Sequence, residues 1–202
     1  MTIRSLVVAS LGLALGEVPA AADEERFSFE LRGGGLNRDD GGYADHAVVH
    51  GLSNPEIAAG GVIEGGVRFL PRLWLLASWS GYYSRGPRRL SELSVTNRAV
   101  LAQVGFTAYR EEFDLEGFPW ALRFDLEAGG GLYSLSDDLE GEGQRDRGPG
   151  GRVGAQVAAS WKAIGFVVSY GWHFTGVRLA DRLGGELGAG GHELGAGLRL
   201  QF

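Results

Sequence analysis

The chain has 202 residues, a formal net charge of −6 and no cysteine, and 35 of its residues are glycine. The absence of cysteine excludes disulfides and thiol chemistry, and an acidic balance without a dense basic patch argues against a nucleic-acid partner. The glycine content is far above the usual ~7%. These glycines lie inside segments of alternating polarity, without the period of collagen or the texture of a flexible linker.

Residues 1–22 have the features of a secretory signal peptide. A short positive segment precedes an apolar run at residues 5–16, and Ala20 and Ala22 form a small-residue cleavage site. The run is too short for a retained anchor, because crossing the hydrocarbon takes ~20 apolar residues. No other stretch suits a transmembrane helix, so the remaining domain, residues 23–202, must cross any membrane with strands.

The mature sequence divides into eight segments in which apolar and polar residues alternate. This pattern predicts strands with one apolar face. The segments are residues 26–32, 58–70, 73–83, 98–109, 120–129, 152–162, 166–175 and 192–202. A length of about ten residues matches a tilted membrane strand.

The connections between these segments differ in length, and the lengths predict the topology. Residues 71–72 and 163–165 form short connections, and residues 110–119 form an intermediate one. The long connections are residues 36–57, 84–97, 134–151 and 176–191. An up-and-down barrel with both termini in the periplasm needs three short turns on one side and four longer loops on the other. The sequence predicts that arrangement.

The last segment alternates cleanly and ends on an aromatic residue. Gly195, Gly197, Leu200 and Phe202 fit the order polar-x-Gly-x-x-apolar-x-aromatic. This strand resembles the closing strand of bacterial outer-membrane β-barrels. The resemblance implies that the barrel-assembly machinery recognises Gly197, Leu200 and Phe202 as an assembly signal during insertion.

By pattern, the mature domain resembles the small outer-membrane barrels, including the OmpA-, OmpX- and OmpW-like proteins. The resemblance implies an all-β, eight-stranded, antiparallel, up-and-down transmembrane β-barrel. It also implies a monomer in the outer membrane of a Gram-negative bacterium, in contact with outer-membrane lipid and lipopolysaccharide. We expect a structural or surface-interaction role, without catalytic residues, cofactor or metal.

Alternation alone leaves two barrels open, because it shows only that one face of each strand is apolar. A soluble barrel of the lipocalin type would turn that face inward. In this chain the apolar register carries aromatic residues near predicted strand ends, as expected of interfacial girdles: Trp79, Tyr83, Trp120, Trp161, Tyr170 and Trp172. The polar register mixes small residues with both signs of charge, which suits a narrow, filled interior. These features favour the membrane arrangement.

In that arrangement the polar register becomes a charged network inside the barrel. Its predicted acidic members are Glu30, Glu64, Asp125, Glu127 and Glu193, and its basic members are Arg32, Arg68, Arg123, Arg152, Lys162 and Arg199. Near-balance of the signs predicts ion pairs across the lumen, since unpaired buried charges are costly. A structural plug is the favoured interpretation. The alternative is a conduit for small hydrophobic solutes, as the OmpW-like resemblance implies, and a side opening in the barrel wall would support it.

The loops offer weaker signals. Residues 137–146 are rich in carboxylates but fit no calcium-binding EF-hand. His46 and His50 have the spacing of a metal pair only if they lie on a helix, and their neighbours Gly51 and Pro55 favour a loop. We therefore predict no metal site.

The second long connection contains Arg85, Arg88 and Arg89. These side chains could pair with lipopolysaccharide phosphates. An ordinary solvated loop would explain them equally well.

A second alternative is a lipid A acyl hydrolase. His173 and Thr175 are similar to the His-x-Ser pair of outer-membrane barrels that remove an acyl chain from lipid A, with Glu186 or Glu193 as the acidic residue. A histidine base beside a hydroxyl nucleophile is chemically coherent. However, Thr replaces Ser, the Ser-Asn continuation is missing, and the register points His173 into the lumen. Loss of a lipid A acyl chain on expression, abolished by His173→Ala, would favour the enzyme.

Overall fold

A computed structural model describes residues 26–41, 43, 45, 47, 56–85, 93–139, 141–179 and 185–202. The strands are β1 (Phe27–Gly41), β2 (Ile57–Leu70), β3 (Leu73–Arg85), β4 (Leu93–Leu115), β5 (Phe118–Leu139), β6 (Glu142–Trp161), β7 (Ile164–Thr175), β8 (Arg178–Leu179) and β9 (Glu186–Gln201). The predicted signal peptide lies outside the described residues, as do Arg88, Arg89, His46 and His50.

The eight long strands form a closed antiparallel ring. Each strand pairs with its neighbours in sequence, β7 pairs with β9, and β9 closes the ring by pairing with β1. The two-residue β8 pairs with β9 alone. The predicted eight-stranded, up-and-down barrel is therefore confirmed. Among the described residues, no helix is long and apolar enough to cross a membrane.

The register fixes the tilt of the strands. A walk across paired residues follows Leu73, Phe106, Leu126, Ala155, Tyr170, Leu194, Gly35, Ala59 and Tyr83. It returns to β3 ten residues further along, since 83 − 73 = 10. With a rise of ~3.3 Å per residue and a strand spacing of ~4.7 Å, this shear gives a tilt of about 40°. Such a barrel has an interior wide enough for side chains and little else.

The barrel is apolar outside and charged inside. Outward-facing Leu132, Phe166 and Leu194 are 68%, 64% and 63% exposed, whereas inward-facing Arg32 and Arg199 are 2% and 1% exposed. A barrel of the lipocalin type would have the opposite polarity. The predicted choice of faces is confirmed.

One end of the ring, which we call the turn end, holds the chain's last residue and the short turns. The turns at residues 71–72 and 162–163 lie there. The intermediate connection predicted at residues 110–119 is a turn of Glu116 and Gly117, because β4 and β5 continue past the barrel rim. Both turn residues have positive φ, 54° and 85°.

At the opposite end, the loop end, much of the predicted loop sequence is strand. The connection predicted at residues 134–151 is a hairpin of β5 and β6 with Gly141 at its tip. Backbone pairing needs no apolar face, so polar and glycine-rich sequence remains in strands beyond the apolar wall. Tyr43, Asp45 and Ala47 are helical.

A hydrophobic core fills the barrel at the loop end. We call it the apolar cap. It comprises Tyr43, Ala47, Leu93, Val95, Ala99, Leu101, Tyr133, Leu135, Val177, Leu179, Leu187 and Ala189. The Tyr43 hydroxyl donates to Asp137 Oδ2 at 3.0 Å, which ties the helical segment to β5. The inward register at the loop end is therefore mainly apolar, and it also buries Arg38, Asn97 and Asp137.

Candidate functional site

The lumen below the apolar cap contains a network of buried ion pairs in three layers. At the turn end, Arg199 pairs with Glu30 and places Nη1 3.1 Å from Asp125 Oδ2. Asp125 also accepts from Arg123 Nε at 2.8 Å and from Thr107 Oγ1 at 2.8 Å. The Asp125 carboxylate is therefore held by three side chains from three strands.

The middle layer is built around Arg32. Its Nη2 lies 3.1 Å from Glu64 Oε2, and its Nη1 donates to Gln156 Oε1 at 3.3 Å. Gln103 Nε2 donates to Glu64 at 3.2 Å and to Ser78 Oγ at 3.0 Å. One guanidinium and two amides thus connect β1, β2, β3, β4 and β6 across the lumen.

Arg152 is the centre of the upper layer. Its Nη1 lies 2.6 Å from Glu127 Oε2, and its Nη2 lies 3.1 Å from Glu193 Oε1. Nη1 also donates to Gln103 Oε1 at 3.2 Å, which joins this layer to the middle one. Arg152 itself is 2% exposed. Both carboxylates therefore share the same guanidinium.

His173 extends the upper layer toward the apolar cap. Its Nε2 lies 3.0 Å from Glu193 Oε2, and its Nδ1 lies 2.9 Å from the Tyr133 hydroxyl. The Tyr133 hydroxyl also donates to the Gly151 carbonyl at 2.9 Å. A carboxylate accepts hydrogen bonds, so Nε2 donates to Glu193. Both ring nitrogens of His173 are therefore hydrogen-bonded inside the lumen.

The three layers bring acidic and basic side chains together in similar numbers. Five carboxylates, those of Glu30, Glu64, Asp125, Glu127 and Glu193, face Arg32, Arg123, Arg152, Arg199 and the His173 ring. Balance matters because an uncompensated charge in a narrow, low-dielectric lumen is costly. Among the buried side chains of the lumen, four atoms have no hydrogen-bond partner: Glu30 Oε2, Arg32 Nε, Glu127 Oε1 and Ser169 Oγ.

The structure brings together nine of the eleven charged residues predicted for the lumen. These are Glu30, Arg32, Glu64, Arg123, Asp125, Glu127, Arg152, Glu193 and Arg199. The prediction for Lys162 is wrong: it is exposed, with φ 53°, and its Nζ lies 5.0 Å from the Trp161 ring centroid. β6 ends at Trp161, so Lys162 belongs to the turn and leaves the alternation. Arg68 is half-buried near the turn end of β2, outside the three layers.

Sequence reasoning missed the neutral members of the network. Gln103, Gln156 and Thr107 lie in the polar register of predicted strands, and only the charged residues of that register had been selected. Tyr133 lies in the same register as Arg123 and Asp125, six residues past Glu127, where a loop had been expected from residue 134. Continuing the alternation through Gly129 and Gly131 would have found it.

Side chains lie across both ends of the charged network. At the turn end, the Arg123 guanidinium carbon lies 4.9 Å from the ring centroid of inward-facing Trp74. At the loop end, the apolar cap covers the upper layer. The ladder of paired strands is continuous around the ring, so the described wall has no side opening.

The aromatic residues predicted as interfacial girdles occupy several heights on the wall. Trp120 and Trp161 are paired near the turn end, and Tyr83 and Trp172 lie toward the loop end. Trp79 and Tyr170, in contrast, lie in the middle of β3 and β7. A period of two identifies the face of a residue but not its height, which depends on the shear.

The terminal strand is paired on both sides. Leu200 faces Phe29 of β1 and Ile164 of β7, and the Phe27 amide donates to the Phe202 carbonyl at 2.8 Å. Gly197 faces Arg32 of β1, where a Cβ would overlap the backbone carbonyl of Leu31. Glycine therefore permits the close contact that seals the ring.

Within the described residues, no group of three or more histidine, aspartate or glutamate side chains is arranged to hold a metal ion.

Comparison with solved structures identifies the fold. Neisserial surface protein A (NspA) matches with a TM-score of 0.50 and 14% identity, over 87% of this chain and 97% of that chain. Ail, the attachment invasion locus protein of Yersinia pestis, matches with a TM-score of 0.46 and 14% identity, over 88% and 99%. The N-terminal β-barrel domain of Pseudomonas aeruginosa OprF matches with a TM-score of 0.45 and 16% identity, over 89% and 100%.

No protein-family model matches the chain, and no curated protein matches it. At 14% identity, the likeness to NspA concerns the fold alone. By its closed ring, its inverted polarity and this likeness, the chain has the fold of the small, eight-stranded outer-membrane β-barrels.

Proposed function

We propose that the protein is exported to the outer membrane of a Gram-negative bacterium and acts there as a structural or surface-interaction barrel. The observation that carries this proposal is the inverted polarity, with an apolar outer wall and a buried network of ion pairs. A continuous apolar wall is unfavourable in water but matches the hydrocarbon of a bilayer. We propose further that the barrel is a monomer. Its apolar wall continues around the whole ring, so lipid would contact it on every side.

The filled lumen supports a structural role over a conduit. Ion pairs occupy the middle of the barrel, Trp74 and Arg123 cover the turn end, and the apolar cap covers the loop end. A solute would have to displace buried guanidinium–carboxylate pairs, which costs several kcal/mol for each charge left unpaired. We therefore propose that the barrel is closed.

A closed barrel predicts the absence of steady conductance. In planar bilayers containing the refolded mature chain, we expect no resolved ion-channel steps at neutral pH, because no water-filled path crosses the three layers. A large porin of known conductance, inserted in the same bilayer, serves as the positive control. Regular, protein-dependent steps would contradict the closed lumen and favour the conduit.

The geometry around His173 does not support the lipid A hydrolase. Both ring nitrogens are engaged, one with Tyr133 and one with Glu193. The Thr175 hydroxyl donates to the Pro149 carbonyl at 2.9 Å, and it is not bonded to the histidine. His173 also faces the lumen, away from lipid acyl chains. These contacts support a non-enzymatic role.

The partners proposed for the chain follow from its location. Outer-membrane lipid and lipopolysaccharide would contact the apolar wall and the strand extensions at the loop end. Gly197, Leu200 and Phe202 lie on the closing strand, which supports the proposal that the barrel-assembly machinery recognises them during insertion.

Gel mobility in detergent tests the proposal. The refolded mature chain is expected to migrate differently before and after boiling, because a closed barrel resists denaturation by the gel detergent until it is heated. Circular dichroism of the same sample should show a β-rich spectrum only with detergent or lipid present. A β-rich chain that is soluble and stable without detergent would contradict the membrane location.

A further inference from the structure

The outer wall carries a cluster of arginines on one side of the barrel, directly above the apolar surface. Val100 and Leu132 face each other on β4 and β5 and are 59% and 68% exposed. The next outward-facing residues toward the loop end are Arg98 on β4 and Ser134 on β5, and Ser134 is paired in turn with Arg147 on β6. The cluster therefore begins where the apolar wall ends.

Arg145 completes the cluster. It lies two residues from Arg147 on the same face of β6, and its Nε donates to Ser134 Oγ at 3.1 Å. Ser134 sits between Arg98 and Arg147 in one transverse row. Adjacent strands are ~4.8 Å apart, so the Cα atoms of Arg98 and Arg147 are about 10 Å apart. Arg98 and Arg147 thus flank Ser134 in this row, and the Arg145 guanidinium contacts the serine hydroxyl. We call Arg98, Arg145 and Arg147 the arginine cluster.

The arginine cluster has no internal counter-charge among the described residues. All three side chains are exposed. None of their guanidinium groups forms a salt bridge with another described residue. The neighbouring carboxylates serve the backbone instead. Asp138 Oδ1 accepts from the Gly141 amide at 2.9 Å, and Asp146 accepts from the amides of Arg147 and Arg178.

Arg178 of β8, whose amide donates to Asp146, shows the contrasting situation. Its Nη1 lies 2.8 Å from Glu186 Oε2, so its charge is compensated within the protein. The positive charges of the arginine cluster are instead available to an anion outside the protein. Val95 and Leu135, on the same strands as Arg98 and Ser134, are buried in the apolar cap.

We propose that the arginine cluster binds the phosphate groups of outer-leaflet lipopolysaccharide. The inference rests on the outer-membrane location proposed above, and it names the side chains that would hold the lipid. The height of the cluster places it at the level of headgroups once the apolar wall is in the hydrocarbon. Guanidinium groups bind phosphate through paired, charge-assisted hydrogen bonds, and the Ser134 hydroxyl supplies a further polar contact.

A titration of the folded mature chain in detergent micelles tests the assignment. The probes are diphosphoryl lipid A, the same lipid after removal of both phosphates, and inorganic phosphate, with binding read by native mass spectrometry. We expect the wild-type protein to bind the diphosphoryl lipid about tenfold more tightly than the dephosphorylated one, and the preference to fall with added salt. The triple variant R98Q/R145Q/R147Q should lose the preference, and the matched control R178Q should keep it.

Three outcomes would overturn the assignment. These are equal binding of both lipids by the wild-type chain, a preference that survives in the triple variant, and displacement of the diphosphoryl lipid by an equal concentration of inorganic phosphate. Gel mobility before and after boiling is measured on each sample. A chain without a heat-dependent shift would overturn the proposed membrane barrel as well, whereas a shifted chain without phosphate preference would overturn only the lipid site.

Discussion

Replacing Arg152 by alanine is expected to destabilise the folded barrel by about 3–5 kcal/mol. The substitution removes the guanidinium that Glu127 and Glu193 share. It also removes the group that donates to Gln103 Oε1. Two carboxylates would then be buried in the lumen without their common partner. Removing one member of a buried pair is costly because the remaining charge has lost both its water and its counter-ion.

Urea titration of the protein in detergent or lipid, followed by gel mobility or tryptophan fluorescence, measures the loss. Arg110→Ala is the matched control, because Arg110 pairs with Glu112 at 2.9 Å on the exposed hairpin beyond the rim. Exposed pairs contribute little, so this control should change the free energy of unfolding by at most about 0.5 kcal/mol. Adding E127Q to R152A should recover part of the loss, since it removes one unpaired charge. Equal stability of R152A and the control would show that the network does not support the barrel.

Replacing Gly197 by alanine is expected to prevent most of the protein from closing into a barrel. On a gel, most of the variant should therefore lack the mobility shift on boiling. A Cβ at this position would overlap the Leu31 carbonyl and lie 2.7 Å from Arg32 Cα. The obstructing atoms are backbone atoms of β1, which cannot rotate away as a side chain could. The β1–β9 ladder seals the ring, so separation of these strands would expose unpaired amides and carbonyls at membrane depth.

Gly65→Ala is the control for the glycine experiment. Gly65 lies in β2, and no atom lies within 4 Å of the position that its Cβ would take. This variant should fold in the same yield as the wild-type chain, which separates the steric effect from a general effect of alanine in a strand. If G197A folds as well as G65A, the close contact at the seam is not required for closure.

The middle of the barrel could be predicted from the sequence because the alternation there is uninterrupted. Arg123, Asp125 and Glu127 fall on one face and Trp120, Leu122 and Phe124 on the other, so a single choice of orientation places every residue. The orientation of the apolar face toward lipid could also be predicted, because the polar register mixes charged residues with glycine. The partners within the lumen did not follow, since a pairing such as Arg199 with Asp125 depends on the shear and closure of the ring.

The ends of the strands could not be predicted for a different reason. Beyond the apolar wall, solvent contacts both faces of a hairpin, and polar sequence such as residues 134–139 no longer alternates recognisably. Inside the same end, the inward register turns apolar at Leu135 and Val95, which form part of the cap. The arginine cluster escaped notice because its members lie on two strands and meet only through the register. Lys162 shows the opposite error, because the predicted segment 152–162 extends one residue past the end of β6 into a turn.

Site-directed spin labelling tests the orientation of the barrel wall most directly. The chain has no cysteine, so single cysteines can be introduced without removing any native residue of that type. Labels at Val104→Cys and Leu198→Cys, both outward-facing and exposed on the apolar wall, are compared in lipid vesicles with a label at Glu142→Cys near the hairpin tip. We predict that labels at positions 104 and 198 collide with oxygen and are shielded from a water-soluble nickel chelate, with the reverse at position 142. Nickel access at positions 104 and 198 as high as at position 142 would contradict a transmembrane barrel.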